Sequence, residues 1–281
     1  MLVVDSTLTV TPIAGALGAE VAGVDLSAEL SDDVVADIRR AWLEHSVIFF
    51  RNQDLPPARL LAFARRFGLV LEYPFVRGLD DYPEIIPVVK LEHERSNFGG
   101  VWHTDTAYLD VPPMGTMLIA REVPPFGGDT LFASGYRAYE ALSNGMRELL
   151  SGLYAVNSSA KAEVTKTRED RVRDSARDDA RKEYNAEHPV VRTHPETGRK
   201  SLYVNVAHTQ RFAGMTDEES APLLNYLFQH QVRPEFTCRF RWEPGSMALW
   251  DNRCALHNPI NDYHGHRRVM HRVTLAGDKP R

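Results

Sequence analysis

The spacing of apolar positions changes period several times along the chain. Residues 8–13 alternate and stop near Pro12, which predicts a first strand. Residues 15–25 are broken by glycines, with short strand candidates at Ala19-Glu20-Val21 and Val24-Asp25-Leu26. Val34, Ile38, Ala41 and Trp42 then keep helical spacing behind Ser31, a capping residue. Residues 46–50 form a continuous apolar run, expected to be a central strand. Pro56-Pro57 opens a second helix through Leu60, Leu61, Phe63, Ala64 and Phe67, closed by Gly68. A strand follows at 85–89, made an edge by Pro87, then others at 114–122 and 130–133. One helix is expected over 136–153, because Tyr139, Leu142, Met146, Leu149 and Leu150 share a face. Pro195-Glu196-Thr197-Gly198 reads as a hairpin turn, and Thr216 as the cap of a helix ending at His230. Phe236, Cys238, Phe240 and Trp242 alternate, residues 246–251 lead into a polar turn, and 272–276 close the sheet. Many strands with a few outer helices predict a mainly β protein with flanking helices, a double-sheet core of jelly-roll (cupin-like) type.

Length fits this picture as one domain over residues 1–281. The hydrophobic share is 43% and the charged share 25%, ordinary for a globular chain with a sizeable core. The net charge of −5 argues against a general nucleic-acid partner. The amino-terminal residues lack a basic start with a long apolar run, and no run is long enough to cross a membrane, so the cytoplasm is the expected compartment. Cys238 and Cys254 lie in apolar, strand-like surroundings and are expected to be buried reduced thiols. Nothing in the composition fixes an oligomeric state; a homodimer or tetramer stays open. One stretch differs from the rest: over residues 158–187 basic and acidic side chains alternate and apolar anchors are few. It reads as a solvated helix or as a lid-like insertion over a substrate.

Candidate chemistry centres on Trp102-His103-Thr104-Asp105. In an extended segment residues i and i+2 point to one face, so His103 and Asp105 converge. His-x-Asp is common by chance and is often surface or capping chemistry. A third ligand would change that, and His257 suits it, following a strand-like run and opening the turn Asn258-Pro259. Two histidines and a carboxylate on one face of an octahedron leave three positions for other ligands, the facial triad of non-heme Fe(II) oxygenases. His264, His266 and His271 compete only weakly for that place, and His45, His188, His194 and His230 read as surface or loop residues. Trp102 and Trp250 are expected to pack beside the metal.

With Gly127-Gly128-Asp129-Thr130-Leu131, Trp250-Asp251-Asn252-Arg253 and the basic run from Arg268 to Arg272, the chain resembles the TauD/TfdA family of Fe(II)- and 2-oxoglutarate-dependent dioxygenases. The similarity runs from about Val10 to the end. It implies a double-stranded β-helix, with Fe(II) on His103, Asp105 and His257 and with 2-oxoglutarate and O2 as cosubstrates. Such an enzyme hydroxylates an aliphatic C–H of a small organic acid and releases succinate and CO2. The resemblance assigns the far carboxylate of 2-oxoglutarate to Arg268, whose planar fork suits it, and to the hydroxyl of Thr130. It assigns an anionic substrate group to Arg272, and pocket walls to Tyr108 and His208.

Two positions depart from the taurine enzymes. Tyr73, before Pro74, stands where they carry a histidine, and Gly99 where they carry an asparagine. Both changes argue against taurine itself. They favour a bulkier acid: an alkyl sulfonate, a sulfate ester, an aryloxyalkanoate or a carboxylic acid. Two other readings compete, a non-catalytic β-fold binding or sensor protein with a degenerate site, and a zinc hydrolase on the same triad.

Overall fold

The computed structural model describes residues 8–73, 75–97, 99–161 and 183–281. Its largest unit is an eight-stranded sheet. Along its main path lie β1 (Thr9–Pro12), β2 (Ala19–Ala22), β3 (Val47–Phe50), β14 (Met247–Asp251), β6 (Gly115–Glu122), β16 (Arg268–Leu275) and β4 (Val70–Leu71). Among the described residues β5 (Ile86–Lys90) pairs with β16 alone, so Pro87 sits on an edge. A smaller sheet of β13 (Thr237–Phe240), β7 (Thr130–Ser134) and β15 (Ala255–Pro259) faces it. This is the expected jelly-roll core.

The alternation of the large sheet explains both of its packed faces. Val47, Phe49, Leu118, Ala120, Ala248, Trp250 and Met270 turn inward and meet Phe132 and Phe240 of the small sheet. Phe49 stacks on Phe240 with ring centroids 4.0 Å apart and meets Phe132 edge-on at 5.6 Å. The intervening Ile48, Phe50, Met117, Ile119, Leu249 and Val273 turn outward, under α1 (Asp32–His45) and α2 (Pro57–Arg65). A strand covered on both faces needs apolar residues throughout, hence the run at 47–50. Ser31 caps α1 by accepting the Val34 amide, and Thr216 with Glu219 forms a capping box on α5 (Asp217–His230).

Several expectations need correction. The single helix over 136–153 is two, α3 (Gly135–Glu140) and α4 (Asn144–Leu150). The Ser143 hydroxyl accepts the Met146 amide and starts a new helix there. Gly68 is not a left-handed cap. Arg66 ends α2 in right-handed geometry, and a Cβ on Gly68 would lie 2.6 Å from Met114 Cε, the mobile end of that side chain. The last strand begins at Arg268, earlier than expected, and lies inside the sheet. The buried members of α1 are Val35, Ile38, Ala41 and Trp42, with Val34 only half-buried.

The charged stretch at 158–187 is bounded by strands. β8 (Tyr154–Ser158) pairs antiparallel with β9 (Asn185–Pro189), with Ser158 opposite Asn185. Those end residues belong to a sheet with β12 (Thr209–Phe212). Residues 162–182, where the lid-like character was expected, lie outside the described residues. The hairpin of β10 (Val191–Thr193) and β11 (Lys200–Leu202) forms across Pro195–Gly198 as expected.

Candidate metal centre and its two chambers

His103 and His257 are opposite residues of an antiparallel bridge. His103 donates its amide to the His257 carbonyl at 3.0 Å, and His257 donates back at 2.8 Å. Residues far apart in sequence are thereby held one strand spacing apart. The side chain of His103 is oriented by a 2.7 Å contact from Nδ1 to the Val101 carbonyl. A carbonyl only accepts, so Nδ1 carries the proton and Nε2 presents its lone pair. Asp105 reaches the same point by a different route from the one expected. The extended segment ends after His103, and Asp105 opens a turn in which Thr106 takes a left-handed φ of 43°.

The donor atoms converge. Asp105 Oδ1 lies 3.8 Å from His103 Nε2 and 3.8 Å from His257 Nε2, and all three ligand atoms fall within 4.8 Å of one another. All three side chains are buried. Burial pushes the His103 and His257 imidazoles below their usual pKa, His257 far below, which suits neutral nitrogen ligands. Burial alone would raise the Asp105 carboxyl, but Arg272, His257, His103 and the Thr116 hydroxyl together hold it well below its usual value. Two neutral nitrogens and one anionic oxygen on one side of a buried point fit a divalent cation. Trp250 packs on His257 at 4.7 Å between ring centroids, as expected for a wall of the centre.

Two chambers meet at the triad. One is a narrow cleft bounded by Thr130, Val88, Leu118, His257 and Arg268. Arg268 is 6% exposed, and its Nε and Nη2 have no hydrogen-bond partner. Burial lowers its pKa, offset only in part by Tyr263 and Asp129, as for a cation deprived of water. Thr130 Oγ accepts the Trp242 indole N–H at 2.9 Å, so its hydroxyl proton is left for another acceptor.

The other chamber is a cavity of about 450 Å³ that includes Tyr73, Gly99, Tyr108, His208 and Arg272 in its lining. Arg272 follows Arg268 by four residues on β16, so both side chains point into the sandwich. Its Nη2 lies 3.2 Å from Asp105 Oδ1, an ion contact without hydrogen-bond alignment, and its guanidinium carbon lies 5.0 Å from the Tyr73 ring centroid. Tyr73, Phe75, Tyr108 and His208 form a continuous aromatic wall with centroid spacings of 5.0–5.7 Å. Burial, then the neighbouring His103, pushes His208 down to about 3, so it is a neutral imidazole. Gly99 has a φ of 71°, and a Cβ there would stand 2.7 Å from His103 Cε1.

Three histidines read as surface or loop residues are in fact buried. His188, His194 and His230 are 0%, 1% and 2% exposed. His188 and His230 bond the carbonyls of Leu109 and Ala138, and His194 bonds the Asp251 carboxylate at 3.0 Å. A lone histidine in a polar stretch carries no signal of its partner, so the spacing could not reveal this. His264 is exposed and His266 half-exposed, and His271 projects away from the triad to Arg121. Both cysteines are buried thiols, raised to about 12 by burial. Among the described residues no helix is long and apolar enough to cross a membrane.

Comparison with known proteins agrees with this geometry. The model of the taurine catabolism dioxygenase TauD, TfdA family matches residues 9–274. The alkylsulfatase of Acinetobacter baylyi is 35% identical over 96% of this chain and 86% of its own. An alpha-ketoglutarate-dependent sulfate ester dioxygenase of Pseudomonas putida is 35% identical over 97% of this chain and 91% of its own. A taurine dioxygenase structure from Burkholderia xenovorans superposes with a TM-score of 0.83 at 36% identity, covering 98% of this chain and 92% of that one. The match of the family model to nearly the whole chain, on a sandwich with a buried His-Asp-His cluster, makes this protein a member of the TauD/TfdA dioxygenase family.

Proposed function

We propose that this 2-oxoglutarate-dependent dioxygenase holds Fe(II) on His103, Asp105 and His257 and hydroxylates an aliphatic C–H of an organic acid bulkier than taurine. One observation carries the reading: a neutral-imidazole and carboxylate triad stands beside two buried arginines, Arg268 lining the narrow cleft and Arg272 lining both chambers. Bound there, the iron supplies the oxidising chemistry, in which 2-oxoglutarate and O2 become succinate and CO2 while one oxygen atom enters the substrate C–H. Arg268 and Thr130 bind the far carboxylate of the oxo acid and fix which end faces the triad. Arg272 binds the substrate anion. Because its Nη2 already lies 3.2 Å from Asp105 Oδ1, the carbon next to the anion comes closest to the centre. Tyr73, Tyr108 and His208 give the remainder of the substrate an aromatic wall, while Gly99 gives its space to the His103 ring.

A sulfate ester fits these features best among the acids considered, in keeping with the relatives from A. baylyi and P. putida. Hydroxylation at the carbon that bears the ester oxygen gives a carbon carrying both OH and O-sulfate. Its C–O bond breaks with the electron pair leaving on sulfate, and the hydroxyl proton is lost as the carbonyl forms. The products are an aldehyde and inorganic sulfate. A zinc hydrolase on the same triad has no use for a second buried arginine beside Thr130, and metal analysis of anaerobically purified protein separates the two readings. The direct test is a panel of sulfonates, sulfate esters, aryloxyacids and carboxylic acids, scored by substrate-stimulated succinate release. Wild-type protein should prefer an alkyl chain or aryl group over taurine, and His257→Ala should abolish turnover. Full activity in that variant would refute the triad, and taurine as the best substrate would refute the substrate assignment.

A further inference from the structure

Asp105 is a ligand candidate with two oxygens, and only one of them faces the histidines. Its Oδ2 accepts the Thr116 hydroxyl at 2.6 Å. The same hydroxyl accepts Asn252 Nδ2 at 3.0 Å. The direction of this chain follows from groups that can only donate. Asn252 Oδ1 lies 3.0 Å from the indole N–H of Trp250 and 3.3 Å from the backbone N–H of Asp105. An amide oxygen must face those two donors, so the Asn252 NH2 is turned towards Thr116. Thr116 then receives a proton from one side and has a single direction in which to give its own. That direction is Asp105 Oδ2. Thr116 is 0%, Asn252 1% and Asp105 3% exposed, so bulk water does not compete.

The fold fixes the same three residues from outside. Thr116 lies opposite Trp250 in the β6–β14 ladder. Asn252 follows β14 directly and donates its amide to the Met114 carbonyl at 2.9 Å. Thr104, between the two ligands of the first motif, donates to the Asn252 carbonyl at 2.7 Å. Asn252 is thus bonded to both residues that follow His103, and through Thr116 to the far carboxylate oxygen.

We propose that Asn252 and Thr116 are positioning residues that engage Asp105 Oδ2, leave Oδ1 alone for the cation, and so impose one-oxygen ligation. The inference rests on the reading of His103, Asp105 and His257 as a divalent-metal site. A carboxylate that swung to bind through both oxygens would take a position needed by a cosubstrate.

Mn(II) affinity, measured by titration of metal-free protein without 2-oxoglutarate, tests the proposal apart from turnover. Thr116→Val keeps the shape and removes the donor; it should weaken Mn(II) binding by about tenfold or more, as loss of a partner to a ligand commonly does. Thr116→Ser should restore affinity to near wild type. Asn252→Ala should also weaken Mn(II) binding, because it removes the donor to Thr116 and the acceptor of the Asp105 backbone amide. The visible spectrum of the Co(II) form should change in Thr116→Val and return in Thr116→Ser. Thermal unfolding of the metal-free variants separates positioning from folding, and Thr116→Ala replaces Thr116→Val if that variant does not fold. Wild-type Mn(II) affinity in folded Thr116→Val would overturn the proposal, provided Asp105→Ala has lost it. Wild-type affinity in Asp105→Ala as well would instead overturn the triad.

Discussion

At the scale of the residue, the proposed role of Arg268 and the steric role of Gly99 can be separated. Arg268 is buried without a partner for Nε or Nη2, so an anion gains a desolvated, charge-assisted contact there. Such bonds contribute about 1.5–3 kcal/mol. Arg268→Ala should therefore raise the 2-oxoglutarate KM by about ten- to a hundredfold and leave metal affinity near wild type; an unchanged KM would remove Arg268 from the cosubstrate chamber. Gly99 acts by sterics. An alanine there is strained at a φ of 71° and meets the His103 ring at 2.7 Å, which threatens the Nδ1 contact to Val101. Gly99→Ala should lower Mn(II) affinity more than it lowers the melting temperature, and wild-type metal affinity in this variant would show that the ring has room to move. The side chains that gather at the cluster, His103, Asp105 and His257, were legible from their types and order, whereas Arg268 was reached through the family resemblance. Thr116 and Asn252 were not legible. A threonine in a strand and an asparagine after one are ordinary, and only the pairing of β6 with β14 brings them to Asp105.

At the scale of the element, the turn between β14 and β15 decides where His257 stands. Asp251 accepts the Arg253 backbone amide at 2.9 Å, Arg253 Nε at 2.8 Å and Nη2 at 2.7 Å, and it also contacts His194. Arg253 continues to Glu196, which also holds Arg39 of α1. The strands were readable from alternation at 236–242 and from the apolar run at 46–50, since both faces of the large sheet are packed. Boundaries set by side-chain caps were less so: Ser143 restarts a helix that apolar spacing alone would have continued. The buried network was not readable, because hydrogen-bonded histidines and arginines look in sequence like surface ones. Removing one member strands the others: Asp251→Ala leaves Arg253, 2% exposed, with less compensation. It should cost about 3–5 kcal/mol in denaturant unfolding, and Arg253→Ala added to it should cost much less than it does alone. A loss below about 1 kcal/mol, the scale of an ordinary exposed ion pair, would show that the turn stands without the network.

At the scale of the whole molecule, a chain carrying 11 histidines folds with several of them buried and neutral. Burial lowers His188; burial and the adjacent Arg121 bring His271 to about 4; burial and His103 bring His208 to about 3. The unfolded chain protonates such groups near pH 6.5. Between that value and the lower folded one, the unfolded state binds more protons, so stability rises with pH. The contribution is complete above about pH 6.5 and is withdrawn as the pH falls towards the folded values. A histidine held neutral through pH 5 withdraws about 2 kcal/mol between pH 7 and pH 5. In a chain of this size that is a melting shift of about 3–4 °C. Asp105 and Asp251 act in a separate window. Their carboxyls are held below the usual value, so their share persists until the pH drops below about 4. The metal-free protein, melted in chelator, should therefore lose stability in two stages, the first of them well above the carboxylate range. His208→Phe keeps the aromatic wall against Tyr108 and removes one titrating group. Its melting temperature should fall less steeply than wild type from pH 7 to pH 5 and run parallel to it below pH 4. A slope equal to wild type in the upper window would mean that His208 is protonated in the folded cavity, and a charged imidazole would then stand beside Arg272 as a second grip on the substrate anion.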